Sequence, residues 1–316
     1  EPSDASATLL YDLAADRWSR EAVRKLGLRE ELLPPLRPSA ALCGELAPGA
    51  ARHLGLPAGL PVACGGADTA CAMLGTGLHA QGEVQLTVGT GAQIVAPRRG
   101  FAPDPSLRTH LYRAVSPGLY YAMAAVQNAG LALEWVRELL RVSWETLYEE
   151  AAAVPPGSGG VTFLPYISGE RTPHLDPAAR GAWVGLGLGC GRGHLLRAAL
   201  EGVAFALRDA LEALEGAGAS TPALRLAGGG SLGESWRRML ADVLGRPLAI
   251  LPDEVASVAS ARGAALLAGM ALGLYGGPEG LPAPRPERAV RPGEGAGRYE
   301  EAYRRIRELY PRLRGL

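Results

Sequence analysis

The chain has 316 residues, of which 47% are hydrophobic and 20% are charged, and its 32 basic and 32 acidic side chains balance. A neutral balance without long blocks of one sign argues against nucleic-acid binding and against a polybasic membrane-binding surface. The longest apolar run, over residues 263–275, is too short and too rich in glycine for a transmembrane helix, and the opening residues lack a signal-peptide pattern. We therefore expect a soluble, cytoplasmic protein that binds neither nucleic acid nor a membrane.

The cysteines and histidines do not have the spacing of a metal site. The chain contains four cysteines and five histidines, with no C-x-x-C pair and no zinc-type spacing. The cysteines are Cys43, Cys64, Cys71 and Cys190. We expect them to be small buried thiols in a reducing compartment, and we predict no metal-ligating side chain.

The first part of the chain is predicted to contain short elements. Residues 1–59 are expected to form helices and loops, including one short helix over 19–28. Two glycines then separate a short buried strand over 60–64 from a helix over 68–74.

A hairpin is predicted next. Two strand-like runs, over 83–88 and 92–96, are separated by the Gly-Thr-Gly sequence of residues 89–91. An apolar run over 119–126 predicts a third strand beside them.

Helices and strands alternate in the remainder of the chain. Predicted helices cover 130–142, 143–154, 193–214, 231–245 (with Ser231 as its cap) and 258–273, and predicted strands cover 161–167, 223–228 and 247–251. Residues 276–297, rich in proline and glycine, predict a surface loop, and an aromatic stripe over 299–310 predicts a last helix. Three strands in hairpin order followed by this alternation indicate an α/β fold, with a mixed sheet flanked by helices.

The helix over 193–214 is predicted to be amphipathic. Its apolar face is formed by Leu196, Leu200, Val203, Leu207 and Leu211. The pairs Arg197–Glu201 and Arg208–Glu212 have the spacing of ion pairs on a helix surface, and we expect them on the opposite face.

The predicted hairpin tip has two possible explanations. Its glycines, Gly89 and Gly91, leave backbone N–H groups unobstructed, and such groups can converge on an anion, to which the Thr90 hydroxyl would add a donor. The alternative is a tight turn that needs a positive φ at a glycine.

A second glycine-rich junction lies at LAGGGSLGESW, residues 226–236. A strand that runs into three glycines and then a helix allows the phosphates or the adenine ring of a nucleotide to approach the backbone closely. Close packing of the strand against the helix explains the same glycines, and the G-x-G-x-x-G spacing is absent.

Asp68 is the only charged residue between positions 62 and 78, and it stands at a predicted helix start after Gly65 and Gly66. The partial positive charge of a helix N-terminus favours the ionised carboxylate, which can accept a proton from a hydroxyl group. An aspartate that merely caps the helix is the alternative. The open space that two glycines provide favours a functional role. With two glycine-rich loops, such a carboxylate indicates phosphoryl transfer to a hydroxyl group.

Five segments occur in the order found in one enzyme family. They are GGADTACAMLGTG (65–77), LTVGTGAQI (86–94), ISGERTPHLDPAARGAWVGL (167–186), HLLRAALEGVAFALRDALEAL (194–214) and LAGGGSLGESWRRMLADVLGRP (226–247). On these segments the chain resembles the FGGY carbohydrate kinases, and its SGERTP segment is most similar to that of xylulokinases. The resemblance implies an actin-like ATPase (ribonuclease H-like) fold with two domains, in which the sugar binds the first domain and ATP mainly the second.

The resemblance also implies roles for individual residues, with ATP and Mg²⁺ as cofactors. Asp68 matches the catalytic base, and Thr69 matches a sugar contact. Gly89, Thr90 and Gly91 match the phosphate loop. Gly228 and Gly229 match the adenosine motif, Gly189 matches a glycine of the nucleotide site, and Gly233 matches a position near adenine. Within the 168–176 loop, Glu170, Arg171 and Asp176 are expected to organise either the cleft or the domain interface. For Arg180, the alternative to such a role is an ion pair that only stabilises the structure.

The family's initial Asp-x-Gly-Thr strand, whose aspartate helps to place Mg²⁺, has no counterpart in this sequence. We therefore expect residues 1–82 to be a remnant of the sugar domain and residues 83–316 to be the nucleotide domain, in a fragment that is inactive or nearly so. The expected partner is a second copy or a separately encoded N-terminal half. D-xylulose is the favoured substrate. The alternatives are ribulose, glycerol or gluconate, or a nucleotide-binding module without catalysis.

Overall fold

The computed structural model describes residues 1–231 and 233–315. The α-helices are α1 (Pro2–Ala5), α2 (Arg20–Lys25), α3 (Pro48–Leu54), α4 (Asp68–Gly75), α5 (Gly130–Leu139), α6 (Trp144–Ala152), α7 (Arg192–Gly216), α8 (Glu234–Leu244), α9 (Asp253–Ala256), α10 (Ala259–Ala271) and α11 (Glu300–Leu313). The β-strands are β1 (Tyr11–Asp12), β2 (Arg17–Trp18), β3 (Leu42–Glu45), β4 (Pro61–Ala63), β5 (Gln85–Val88), β6 (Ala92–Arg99), β7 (His110–Arg113), β8 (Leu119–Val126), β9 (Thr162–Leu164), β10 (Ala182–Val184), β11 (Leu224–Ala227), β12 (Leu248–Ile250) and β13 (Arg288–Val290).

Seven strands form the main sheet, in the order β13-β12-β11-β5-β6-β8-β7. β11 runs parallel to both β5 and β12, whereas the other neighbouring strands are antiparallel. The sheet is therefore mixed, as the sequence predicts. β5 and β6 form the predicted hairpin, and β8 is the predicted third strand, which pairs with β6 along its whole length.

The main sheet lies between two helical layers. Side chains alternate along β6, so that Ile94 and Ala96 belong to one apolar core and Val95 belongs to another. The larger core contains most of the buried apolar residues of α7, α8 and α11. The smaller core contains residues of α4 and α10, including Met73 and Leu266. The two layers bury both faces of the central strands.

The first part of the chain departs from the prediction in its burial. β4 forms inside the predicted 60–64 strand, but Val62 is 38% exposed because β4 pairs with β3 in a separate two-stranded ribbon. Cys43 on β3 is exposed, so the prediction of buried thiols is wrong for this residue, whereas Cys71 is buried as predicted.

Within the described residues, six strands are missing from the sequence prediction, namely β1, β2 and β3, which lie in the segment predicted as helices and loops, and β7, β10 and β13. β13 lies inside the predicted 276–297 loop and pairs antiparallel with β12. Each of these strands has two to four residues, which is too short to carry a clear periodic pattern. The predicted start of the 231–245 helix is also wrong, because Gly233 is its N-cap residue instead of Ser231; Leu232 lies outside the described residues.

The predicted exposure of one ion pair on α7 is wrong. Arg197 and Glu201 do pair, at 2.7 Å, but both are buried, because other elements pack around this part of the helix. The Glu201 carboxylate also accepts hydrogen bonds from the backbone N–H of Gly157 at 3.0 Å and the hydroxyl of Ser158 at 2.9 Å. Neither α7 nor any other helix in the described part of the chain is apolar over a length sufficient to cross a lipid bilayer.

Helices α4 and α10 cross at a contact between their backbones. A Cβ atom on Gly263 would lie 1.9 Å from the carbonyl oxygen of Cys71, and one on Gly75 would lie 2.0 Å from the carbonyl oxygen of Ala259. At the start of α4, the hydroxyl of Ser260 donates a hydrogen bond to the carbonyl oxygen of Asp68 at 3.0 Å. The contacts with α10 therefore determine where α4 lies and in which direction it runs.

The crossing gives a first prediction, for Gly263→Ala. Alanine normally stabilises a helix relative to glycine by up to about 1 kcal/mol. Here the added methyl group has no room, so we expect the free energy of unfolding to fall by about 1–3 kcal/mol. Urea denaturation measures this change. Gly276→Ala, at a glycine with open space around it, is the control and should change stability by less than about 0.5 kcal/mol; a stabilised Gly263→Ala variant would contradict the crossing.

Candidate active site

Asp68 is the first residue of α4, and Ala67 is the N-cap residue, so the alternative that Asp68 is the helix cap is wrong. Its Oδ1 atom accepts hydrogen bonds from the backbone N–H of Thr69 at 2.5 Å and from the Thr69 hydroxyl at 3.2 Å. The side chain is exposed. An exposed carboxylate at a helix N-terminus is free to meet a ligand that carries a hydroxyl group.

Two cavities meet at this carboxylate. The first cavity has a volume of about 610 Å³, and its lining includes Glu1, Asp4, Tyr112 and Tyr121. The second cavity has a volume of about 480 Å³, and its lining includes the hairpin tip, Gln127, Arg171 and Ser260. Asp68, Thr69 and Gln93 line both cavities. Asp68 therefore faces one space on the side of α1 and another on the side of the hairpin tip.

The hairpin tip, residues Gly89 to Gly91, connects β5 to β6. Neither glycine has a positive φ, so the explanation by turn geometry is wrong. Gly91 is required by close approach, since a Cβ atom there would lie 2.7 Å from the carbonyl oxygen of Val126. The nearest neighbour of a Cβ atom on Gly89 would be 3.7 Å away, which is an ordinary contact. Gly89 thus keeps space open at the cavity.

The N-terminus of α5 holds the hairpin tip. The N–H groups of Gly130 and Leu131 donate hydrogen bonds to the carbonyl oxygens of Gly89 and Thr90, at 3.0 and 2.8 Å. In a planar trans peptide the N–H group points opposite to the carbonyl group. The N–H groups of Thr90 and Gly91 therefore point away from α5.

The glycines after β11 lie against the strand that leads into the hairpin tip. Gly228 has a φ of +95°, and its Cβ atom would lie 2.3 Å from the carbonyl oxygen of Val88. Close packing therefore explains Gly228, and also Gly230, whose Cβ atom would lie 2.9 Å from Cγ1 of Val88. Among the described residues, Gly229 has no neighbour within 4 Å of such an atom. Because β5 and β11 are parallel, both glycine-rich loops leave the sheet at the same edge.

The two remaining predicted nucleotide residues are Gly233, at the start of α8, and Gly189. A Cβ atom on Gly233 would lie 3.1 Å from the ring of Tyr148, so the backbone packs against that ring. Gly189 is exposed in the loop between β10 and α7, with open space around it. Neither residue lines the first or the second cavity. The structure therefore brings Asp68, Thr69 and the hairpin tip together, whereas none of the four glycines at 189, 228, 229 and 233 lines either cavity.

The loop over 168–176 is tied to the end of β8 by Glu170. This buried carboxylate accepts hydrogen bonds from the backbone N–H groups of Gln127 at 2.6 Å and Arg171 at 2.7 Å. Burial raises its pKa, although these two N–H groups act in the opposite direction. Arg171 lines the second cavity.

Asp176 and Arg180 line neither cavity and contact other parts of the fold. Asp176 accepts hydrogen bonds from the Tyr310 hydroxyl at 2.7 Å and from Nε of Arg314 at 3.1 Å. Arg180 donates to the carbonyl oxygens of Pro177 and Ala179, so the ion pair suggested for it is absent among the described residues.

Gln93 and Ser260 are among the residues at the site that are missing from the sequence prediction. Gln93 lines both cavities, and the Thr69 hydroxyl lies 3.4 Å from its Oε1 atom. A polar residue within an apolar strand is the signal that would have identified it. Ser260 gives no comparable signal, because its contact with Asp68 depends on the crossing of α4 and α10.

Charges and burial modify the groups around Asp68. Burial raises the pKa of the Cys71 thiol to about 11, and the carboxylates of Glu1 and Asp68 add to the shift. Burial also lowers the pKa of His110, and the positive charge of Arg171 lowers it further. A buried thiol with a raised pKa does not act as a nucleophile.

Comparison with known families now identifies this architecture. The C-terminal domain of the FGGY family of carbohydrate kinases matches residues 84–272, and the N-terminal domain of the same family matches residues 1–75. The chain belongs to the FGGY family. Its fold is the actin-like ATPase fold of that family, as the sequence predicts.

Individual FGGY relatives resemble the chain along most of its length. It is 32% identical over 277 residues to a xylulose kinase of Bacillus subtilis, which covers 87% of this chain and 55% of that protein. It is 36% identical over 320 residues to a glycerol kinase of Thermus brockianus, and the match covers 100% of this chain and 63% of that protein. A crystal structure of a xyloylose kinase from Brucella ovis superposes with a TM-score of 0.91 and 34% identity. The superposition covers 99% of this chain and 64% of that chain. The chain thus spans between about half and two thirds of the length of these relatives.

The hairpin tip gives a second prediction, which separates its two glycines. Gly91→Ala should lower the free energy of unfolding by about 1–3 kcal/mol, because the methyl group collides with the backbone of β8. Gly89→Ala should change it by less than about 0.5 kcal/mol. Thermal and urea unfolding of the two variants test this order, and the reverse order would contradict the geometry described for the tip.

Proposed function

We propose that this chain carries the phosphoryl-transfer site of an FGGY carbohydrate kinase. The observation that supports this most strongly is the position of Asp68, which lines both cavities. In this proposal the first cavity receives the sugar and the second receives the phosphates of ATP. A carboxylate at the junction is then next to both the acceptor hydroxyl group and the phosphate that is transferred.

The lining of the first cavity suits a polyhydroxylated ligand. The Asp4 carboxylate can accept hydrogen bonds from sugar hydroxyl groups, and the hydroxyls of Tyr112 and Tyr121 can donate or accept. The Glu1 carboxylate already accepts hydrogen bonds from Ser3, Asp4 and Ser39. Thr69 is proposed to contact the sugar, and its hydroxyl group lines the space beside Asp68.

The lining of the second cavity suits the phosphates. The N–H groups of Thr90 and Gly91 point away from α5, and an array of N–H groups in a glycine-rich turn attracts anions. The proposed nucleotide contacts are Gly228 and Gly229 after β11, Gly233 at the start of α8, and Gly189 between β10 and α7. Nucleotide binding at these four glycines is a proposal that rests on the family resemblance.

The proposed mechanism uses Asp68 as the general base. Its carboxylate accepts the proton of the sugar hydroxyl as that oxygen attacks the γ-phosphate of ATP, and ADP leaves. Mg²⁺ enters as part of the MgATP substrate, since this ion is commonly held by phosphate oxygens and water with few protein carboxylates. No group of three metal-ligating side chains is present in the described part of the chain.

The proposed substrate is D-xylulose, which is converted to D-xylulose 5-phosphate. The xylulose kinases among the relatives support this choice. The similarity to a glycerol kinase keeps other polyols and sugars as alternatives, namely ribulose, glycerol and gluconate. We further propose a cytoplasmic location, two domains that divide near residue 82, and a second copy or a separately encoded N-terminal half as partner.

The base assignment gives a third prediction, for Asp68→Asn. ATP-dependent phosphorylation of D-xylulose should fall by about 10²–10⁴-fold in kcat, because the amide cannot accept the proton. The assay uses the chain as printed, where we expect little activity, and the chain joined to any coding sequence that is in frame upstream of Glu1. Ribulose, glycerol and gluconate are tested in parallel to define the substrate.

Asp253→Asn is the matched control for this assay. Asp253 is also an exposed first residue of a helix, but it lines neither cavity. Its variant should keep the turnover of the unaltered protein, and both variants should keep the same melting temperature. Equal turnover of Asp68→Asn and the unaltered protein would contradict the proposed mechanism.

A further inference from the structure

Arg171 places an unpaired positive charge in the second cavity. Its side chain is exposed, and its guanidinium group makes no hydrogen bond or ion pair with any described residue. The mechanism proposed for Asp68 does not use it. Exposed arginines are common, so the argument depends on how the backbone holds this one and on the charges near it.

The residues on either side of Arg171 are buried and anchored. Glu170 binds the N–H groups of Gln127 and Arg171 through one carboxylate oxygen. On the other side, the N–H of Thr172 donates to the carbonyl oxygen of Ala125 at 2.9 Å, and the Thr172 hydroxyl donates to the carbonyl oxygen of Arg108 at 2.8 Å. Ala125 and Gln127 themselves line the second cavity. The backbone of Arg171 is therefore fixed at the cavity wall, while its side chain contributes to none of these bonds.

The charges along the two cavities are unbalanced. Among their described lining residues the carboxylates are Glu1, Asp4 and Asp68, whereas Arg171 supplies the sole cationic side chain. The negatively charged phosphates of a nucleoside triphosphate are repelled by the Asp68 carboxylate as they approach it. A fixed guanidinium group in the same cavity offsets the repulsion, and its planar N–H groups match phosphate oxygens.

The positive charge of Arg171 also acts on the first cavity. Its charge acts on both His110 and Tyr112, which stand on β7, and Tyr112 lines the first cavity. A side chain that lines the second cavity and lies near a residue of the first is well placed for the phosphate that passes from one to the other.

We propose that Arg171 binds the terminal phosphate of the nucleotide and keeps it beside Asp68. This inference rests on the proposed function, since it names a further binding residue of the same site. It also gives the SGERTP segment a division of roles: Glu170 and Thr172 position the backbone, and Arg171 contacts the ligand.

The experiment is isothermal titration calorimetry of this chain with MgATP, MgADP and inorganic tripolyphosphate. Arg171→Ala should weaken binding of ATP and of tripolyphosphate by about tenfold or more, because it removes a hydrogen bond between two charged groups. ADP, which lacks the terminal phosphate, should lose less affinity. Arg171→Lys should restore part of the binding, since lysine keeps the charge without the planar pair of donors.

Arg180→Ala is the matched control. It removes the same charge close by in the sequence, lines neither cavity, and should leave all three affinities unchanged. Equal affinities of Arg171→Ala and Arg180→Ala for ATP and tripolyphosphate would overturn the inference while nucleotide binding stands. Binding of tripolyphosphate through Arg171 without binding of ATP would contradict both the proposed function and the inference, because the inference places the phosphate of a nucleotide at Arg171. An unaltered chain that binds none of the three compounds would overturn both.

Discussion

The crossing of α4 and α10 holds the carboxylate of Asp68 at the junction of two cavities. Gly75 and Gly263 allow the two backbones to touch, and any side chain there would separate them. Ser260 binds the start of α4, and Arg262 donates to the carbonyl oxygen of Gly75 at its end, so the short helix is held at both termini. An eight-residue helix has little stability of its own, and it is this packing that keeps Asp68 in position.

The hairpin tip shows how a glycine-rich loop is made rigid without side chains. The N-terminus of α5 occupies the carbonyl oxygens of Gly89 and Thr90, so the N–H groups of Thr90 and Gly91 point away from it, while the N–H of Gly89 donates to the carbonyl oxygen of Gly91. Gly91 is needed because β8 passes directly beside it, whereas Gly89 is needed only if a ligand approaches. The same distinction applies to Gly228 and Gly229 at the neighbouring strand. In each pair, close packing requires one glycine, whereas the other glycine leaves open space beside the backbone.

Much of this arrangement was predictable from the sequence. A lone aspartate after two glycines and a Gly-Thr-Gly between two strand-like runs are local patterns, and both are found where the sequence predicts them. Contacts between distant residues were not predictable: Ser260 and Asp68 are 192 positions apart, and the pairing of β13 depends on β12. The buried pair of Arg197 and Glu201 has the same spacing as an exposed pair, so the helix pattern alone gives no sign of its burial.

The account predicts that the phosphate acceptor and the phosphate donor meet at one carboxylate. A crystal structure of this chain with a non-hydrolysable ATP analogue tests that claim most directly. The terminal phosphate should lie in the second cavity, within hydrogen-bond distance of the N–H groups of the hairpin tip and next to the Asp68 carboxylate. A bound analogue whose terminal phosphate lies outside this cavity, with Asp68 contacting only solvent, would contradict it.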